Sequence, residues 1–392
     1  MNRYKIIPVL CLLYAVCVSC ATPRGAPRAL DDMPPSQRPG LSSDEAGLWM
    51  YMDRIESRLK TSGRVVTDPA LNAYVRQIVC GLDPVHCPDI RIYIVDTPHF
   101  NASMAPNGCM QVWTGLMLRA ENEAQLAYVL GHEMAHYLRR HTLQQWRTVR
   151  NTSTALAFLS LATAAAGVGF AGDMAQLVAL GAIFAYSRDQ EREADHIGFE
   201  LIAKAGYEPA QASKIWADLL AEEEAGGKQA KSYFFATHPT TSERIATLRE
   251  LADKTAKTRS SWSDGRIEYL NAITPFRKEW LDEEVHKGNY NGSLVLLNRL
   301  LKGQDDSAAL HFFLGELYRL RGEDGDCENA CSEYQKALEL RDPPSEIYRS
   351  LGVVHLRRGE VKEARESFEE YLIVNPDASD RQIIESYIDR LR

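Results

Sequence analysis

The sequence predicts an α+β, mainly helical domain followed by an α-solenoid, and three observations predict it. From about Gly47 to Asp253, helical periodicity alternates with short strand-like runs. A His-Glu-Met-Ala-His run, residues 132–136, sits inside the strongest helical pattern of that region. Beyond residue 274 a two-helix pattern recurs with a period near ~34 residues. A chain of 392 residues is longer than one ordinary core spans, so two domains are the default. Hydrophobic content of 45% and charged content of 25% fit a folded chain. The net charge is −8 and no run of five basic residues occurs, which argues against nucleic acid as a partner.

Residues 1–19 read as a signal peptide: Arg3 and Lys5 precede an apolar run from Ile6 to Val18, too short for a permanent span. Cys20 after Ser19 resembles the bacterial lipoprotein box, in which that Cys is acylated, although Cys17 stands where an aliphatic residue is usual. An ordinary cleaved signal that leaves Cys20 a free thiol is the alternative. Ala21 in second place is not Asp, which by the same resemblance favours the outer membrane over the inner one. Residues 20–45, rich in Pro, Ser and Gly, read as a flexible tether. Export makes disulfides durable. Cys80 with Cys87 would close a small loop around Pro84, Cys327 with Cys331 would clip another, and Cys109 is left over.

Residues 46–255 form the predicted catalytic domain. Leu71 to Val79 reads as an amphipathic helix, and Ile90 to Val95 as a strand. Cys109 to Thr114 follows the turn signal Pro106-Asn107-Gly108 and reads as a second strand. Residues 151–187 carry one charge, Asp173; they read either as a buried helix pair or as a membrane-dipping hairpin, and their Ala and Gly content favours the pair. Residues 256–273 are taken as a linker.

In 274–392, HFFLGELYRLRG (311–322) and YRSLGVVHLRRG (348–359) align through Leu-Gly and a terminal Gly. Ala330, Tyr334 and Ala337 follow the first, and Ala364, Phe368 and Tyr371 the second. This resembles the tetratricopeptide repeat; an unrelated helical bundle is the alternative. A weaker unit spans 274–307, and Ser379 to Arg392 reads as a capping helix. Stacked repeats would offer a concave surface for a polypeptide.

The chemistry concentrates at His132 and His136. Histidines at i and i+4 project from one helix face about a turn apart, close enough to share an ion. Asn122 and Gln125 form a capping box for that helix, and Glu133 lies about 100° round, placed to act as a base. A catalytic zinc needs a third ligand. Glu191 supplies it from a helix ending at Gly206, with Asp195 one turn on to accept a ligand ring N–H. Glu193 points away from Asp195 in that register; the alternative is a solvated acidic face. His141 lacks the spacing of three-His zincins and is set aside as a ligand. His86, His99, His196, His286, His311 and His355 read as structural or exposed.

HEMAH followed about 55 residues later by EREAD resembles the BepA-type bacterial periplasmic metallopeptidases, gluzincins related to the CAAX prenyl endopeptidases. Asn101-Ala102, Pro106, Gly108, Thr114-Gly115-Leu116 and Tyr186-Ser187-Arg188 extend the likeness. So does Thr237-His238-Pro239-Thr240-Thr241-Ser242-Glu243-Arg244. The resemblance implies a zincin-like metallopeptidase domain before tetratricopeptide repeats, with one Zn2+ per chain. It makes His238 a candidate fourth ligand or switch; a capping or surface His is the other reading. It further implies a periplasmic endopeptidase, lipid-anchored to the outer membrane, that acts on misfolded or misassembled envelope proteins. Outer-membrane β-barrel quality control and contact with the barrel assembly machinery are its implied setting. Extended substrate is expected along Cys109 to Thr114, added at the sheet edge. The rival class is a chaperone or assembly adaptor that uses the repeats, its peptidase site self-inhibited.

Overall fold

The computed structural model describes residues 30–150, 185–227, 233–238, 242–303 and 307–392. The signal segment, Cys20 and all but the end of 151–187 lie outside these residues.

Helix α1 (Asp44–Thr61) begins where the Ser43 side chain accepts the Ala46 amide, with Asp44 and Glu45 at its electropositive end. Helix α2 (Pro69–Leu82) is capped by Asp68 and buries Leu71, Val75, Ile78, Val79 and Leu82. Its end is tied by a Cys80–Cys87 disulfide. Strands β1 (Arg91–Val95), β2 (Ala102–Met104) and β3 (Cys109–Trp113) form a sheet in the order β1-β3-β2. β1 runs parallel to β3, with Arg91 opposite Cys109, and β2 runs antiparallel, with Ala102 opposite Val112. Both edges of β3 are therefore taken. This corrects the expected docking of substrate along Cys109 to Thr114: the strand with an outer edge beside the site is Ala102–Met104.

Helices α3 (Thr114–Arg119) and α4 (Glu123–Leu138) follow directly. Every residue of α4 from Ala124 to Tyr137 is buried, so it is the axle of the domain. The Asn122 side chain accepts the Gln125 amide, but Gln125 Oε1 returns to the amide of Glu121 rather than of Asn122. Around α4 stand α5 (His141–Arg150), α6 (Arg188–Ala205), α7 (Gln211–Gly226), α8 (Tyr233–Thr237) and α9 (Ser242–Thr255).

Then come α10 (Arg266–His286), α11 (Tyr290–Lys302), α12 (Ala308–Arg321), α13 (Asp326–Glu339), α14 (Glu346–Arg358), α15 (Val361–Val374) and α16 (Arg381–Arg390). α12 packs on α13 and α14 on α15. The paired Leu-Gly and aromatic signals are two halves of one contact. A Cβ on Gly315 would sit 2.4 Å from the Tyr334 ring, and one on Gly352 2.4 Å from Phe368. In α16 only Ile384 and Ile388 are buried, while Ile383 and Tyr387 face outward.

Three further expectations change. The stretch read as tether is anchored at Met33, which is buried and whose amide bonds the Leu138 carbonyl. The stretch read as linker runs into α10, whose Tyr269 is buried and bonds the Met117 carbonyl. Cys327 and Cys331 are free thiols. They lie one turn apart on α13, where Cβ atoms stand about 5–6 Å apart, too far for the ~4 Å a disulfide needs. No helix among the described residues is long and apolar enough to cross a membrane.

Candidate metal centre

The site exists because two helices touch backbone to backbone. A Cβ on Gly198 of α6 would lie 2.8 Å from the His132 amide nitrogen, and one on Gly131 3.3 Å from the Gly198 carbonyl. That approach sets His132 and His136 of α4 against Glu191 and Asp195 of α6. Ser187 caps α6 in a full capping box with Gln190, and Gly206 ends the helix at φ 93°. His238 enters from the end of α8. Ligating atoms of His132, His136, Glu191 and His238 all lie within 4.8 Å of one another, and all four side chains are buried.

The groups behind these side chains assign their protons. Asp195 accepts Arg244 Nε at 2.6 Å, Arg244 Nη2 at 2.7 Å and the Tyr128 hydroxyl at 2.7 Å. Burial pushes its carboxyl up, but the Arg244 guanidinium outweighs burial and holds it well below the usual carboxylate range. An ionised Asp195, 3.1 Å from His132 Nδ1, places the imidazole proton there and leaves Nε2 a lone pair. The Thr237 hydroxyl donates to the Phe234 carbonyl at 2.9 Å and accepts from His238 Nδ1 at 2.7 Å. His238 Nε2 is therefore a lone pair as well.

These lone pairs face a common point. The Nε2 atoms of His132 and His136 are 3.2 Å apart, and they lie 3.7 and 3.5 Å from the Glu191 oxygens. Glu191 Oε1, Glu133 Oε1 and His238 Nε2 are buried and find no hydrogen bond among the described residues. Burial drives every group toward its uncharged form. Glu191 is pushed up to about 8 against the pull of Arg244, and Glu133 is raised well above its ordinary range by burial and then by Glu191. His136 and His238 are lowered well below theirs, by burial first. Lone pairs aimed inward beside two under-compensated carboxyls fit a divalent cation, and nitrogen with oxygen donors suits a borderline metal.

Glu133 stands beside the cluster, its Oε1 3.4 Å from His238 Nε2. The pocket in front of it is lined by Met52, Ile55, Met104, Pro106 and Cys109. Aromatic rings hold the imidazoles: Tyr186 stacks on His136 at 3.6 Å, and Phe234 on His238 at 4.3 Å.

The structure thus brings together His132, Glu133, His136, Glu191, Asp195 and His238; Cys20 lies outside the described residues. His196 is exposed and pairs with Glu200. Sequence reasoning named Arg244 at the end of the His238 stretch but missed its role of touching both Asp195 and Glu191, the latter at 2.5 Å between Nη1 and Oε2. It also missed Tyr128 and Trp216, whose indole donates to the Tyr128 hydroxyl at 3.1 Å. Tyr128 was within reach, one turn before His132 on the same face; Arg244 was signalled only by its place in the His238 stretch, and Trp216 carries no local signal.

Residues 65–252 match the family model described as Peptidase family M48. The chain is 29% identical over 262 residues to a putative beta-barrel assembly-enhancing protease of Vibrio cholerae, covering 64% of this chain and 53% of that protein. It is 33% identical over 161 residues to the mitochondrial metalloendopeptidase OMA1 of Schizosaccharomyces pombe, covering 41% of this chain and 45% of that protein. It is 22% identical over 412 residues to the beta-barrel assembly-enhancing protease of Escherichia coli, covering 95% and 82%. The chain thus spans about half the length of the first two relatives.

Proposed function

We infer, from residues 65–252 that match the peptidase family M48 model, a zinc-dependent endopeptidase that hydrolyses misfolded or misassembled envelope proteins. The observation that carries this is the convergence of unprotonated imidazole nitrogens and the Glu191 carboxylate beside Glu133. His132, His136 and Glu191 would hold the zinc, with His238 a fourth ligand or switch. When bound, zinc supplies Lewis acidity to a scissile carbonyl and to the attacking water.

The chain's own residues do the rest. Glu133 takes the proton of the attacking water and passes it to the leaving amine. Asp195, gripped by Arg244 and Tyr128, keeps the His132 proton on Nδ1. Extended substrate would pair along the outer edge of Ala102–Met104, with a side chain in the pocket of Met52 and Ile55.

The names of the Vibrio and Escherichia relatives support quality control of outer-membrane β-barrels as the setting. In this reading the chain works in the periplasm, anchored by a lipid on Cys20. Its C-terminal helix pairs, read as tetratricopeptide repeats, would hold unfolded polypeptide or the assembly machinery. One observation favours the second reading, an adaptor with a self-inhibited site: His238 stands 3.4 Å from Glu133, where an attacking water would be expected.

Glu133→Gln separates the two. It should keep zinc at one ion per chain and lower cleavage of an unfolded protein such as casein by about 10²–10⁴-fold, with chelation abolishing the remainder in the wild type. Undiminished cleavage by the variant would overturn the mechanism. Full rescue of a deletion strain by the variant would favour the adaptor.

A further inference from the structure

Behind His136, on the side away from the cluster, stands the imidazole that spacing set aside as a ligand. In a continuous helix, a residue five places after His136 would lie about 140° round it. The helix is not continuous. α4 ends at Leu138, Arg140 adopts a left-handed φ of 55°, and α5 restarts at His141. Left-handed backbone is uncommon for a residue other than glycine, and the Arg140 guanidinium is anchored by Glu45. The reversal folds His141 back until its Nδ1 is 2.9 Å from His136 Nδ1, fully buried.

Only one proton fits between two nitrogens at that distance. On its far side, His141 Nε2 meets Glu193 Oε2 at 3.2 Å, and Glu193 Oε1 is held by Arg139 Nε at 3.0 Å. A carboxylate cannot donate, so the proton of neutral His141 resides on Nε2 and its Nδ1 accepts. The proton between the rings is then that of His136. We infer that His141, steadied by Glu193, is a positioning residue for His136, fixing its proton on Nδ1 so that Nε2 faces the cation as a lone pair. Asp195 does the same for His132 in one step; here the carboxylate acts through an intervening imidazole. Tyr186, stacked on the free face of His136 and hydrogen-bonded to Thr142 at 3.0 Å, closes the remaining freedom of the ring. Glu193, exposed and turned from Asp195, thereby acquires a role that its place on the acidic face of α6 does not suggest.

The inference rests on the metallopeptidase reading, and the test keeps the two apart. The zinc dissociation constant of the full chain is measured by competition with a chromogenic chelator, beside the thermal melting of the metal-free protein. His141→Leu should weaken zinc about 10–100-fold, the usual loss when the partner of a ligand histidine is removed. His141→Asn puts an accepting oxygen where Nδ1 was, and should return affinity to within about threefold of wild type. Glu193→Ala is at an exposed position that folding tolerates, and should weaken zinc by several-fold without moving the metal-free melt. Wild-type affinity in both His141→Leu and Glu193→Ala, or an Asn variant no better than Leu, overturns the relay. Wild-type protein that takes up no zinc overturns the metallopeptidase reading itself. If His141→Leu fails to fold, Glu193→Ala decides alone.

Discussion

Two regions of this molecule bury charge, and they treat it in opposite ways. Where the C-terminal helices dock, Arg119 of α3 donates to Glu222 of α7 and Glu284 of α10, both at 2.7 Å. Arg299 of α11 reaches Glu222 at 2.6 Å, and Lys287 and Ser293 close on Glu284 at 2.7 and 2.6 Å. Each charge meets its opposite inside the chain. Burial pushes Glu284 up, yet Arg119 and Lys287 bring it down to about 2. At the candidate metal centre burial leaves Glu191 at about 8 and Glu133 higher than its usual range, because one guanidinium, Arg244, is shared between Asp195 and Glu191. A region that only has to hold supplies its own countercharge. The candidate metal centre supplies less of it, one guanidinium, Arg244, serving both Asp195 and Glu191.

The largest blow to this contrast comes from the docking side. Arg119→Met leaves two buried carboxylates short of a partner and should cost about 3–5 kcal/mol in urea unfolding. A loss under 1 kcal/mol would mean that the network is ornamental. Next is Gly198→Ala, whose new methyl meets backbone of His132 that cannot swing aside. It should cost about 1–3 kcal/mol and weaken zinc binding, because it pries Glu191 from the histidines. Unaltered metal affinity would show that the α4–α6 contact does not set the cluster. The smallest effect is expected of Glu191→Gln in metal-free protein. A group pushed up to about 8 is already mostly protonated at neutral pH, so the amide should change stability by less than about 1 kcal/mol while removing zinc uptake. A cost comparable to that of Arg119→Met would erase the distinction between the two regions.

How far the sequence could be read follows the range of the forces involved. His132, His136 and Glu133 were legible because their spacing and the helix period are both local, and the apolar run from Ala124 to Leu130 announces that helix. Glu191 and Asp195 were legible for the same reason, with Gly206 marking the end of their helix. The strand at Ala102–Met104, three residues long, gives no period to detect; only the resemblance of Asn101-Ala102 to an edge strand pointed to it, and the sheet order stayed hidden. His141 was set aside as a ligand, and its approach to His136 stayed hidden because the helix breaks at Arg139–Arg140, where no Gly or Pro signals it. The C-terminal helix pairs were visible as Leu-Gly and aromatic signals, but that one half fits against the other required their packing.

By itself the sequence determined which groups were on offer: two imidazoles at helical spacing with a glutamate between them, an acidic pair on a second helix, and a helical C-terminal array. Local periodicity suffices for that, since each helix is written by the residues within it. The tertiary structure alone decided which lone pairs meet, where their protons sit, and which charges go unanswered. Those depend on Gly131 meeting Gly198, on Arg244 crossing to α6, and on the core that runs unbroken from α2 to α14. Contacts between segments far apart in the chain carry no period, and only the packed core brings them within reach.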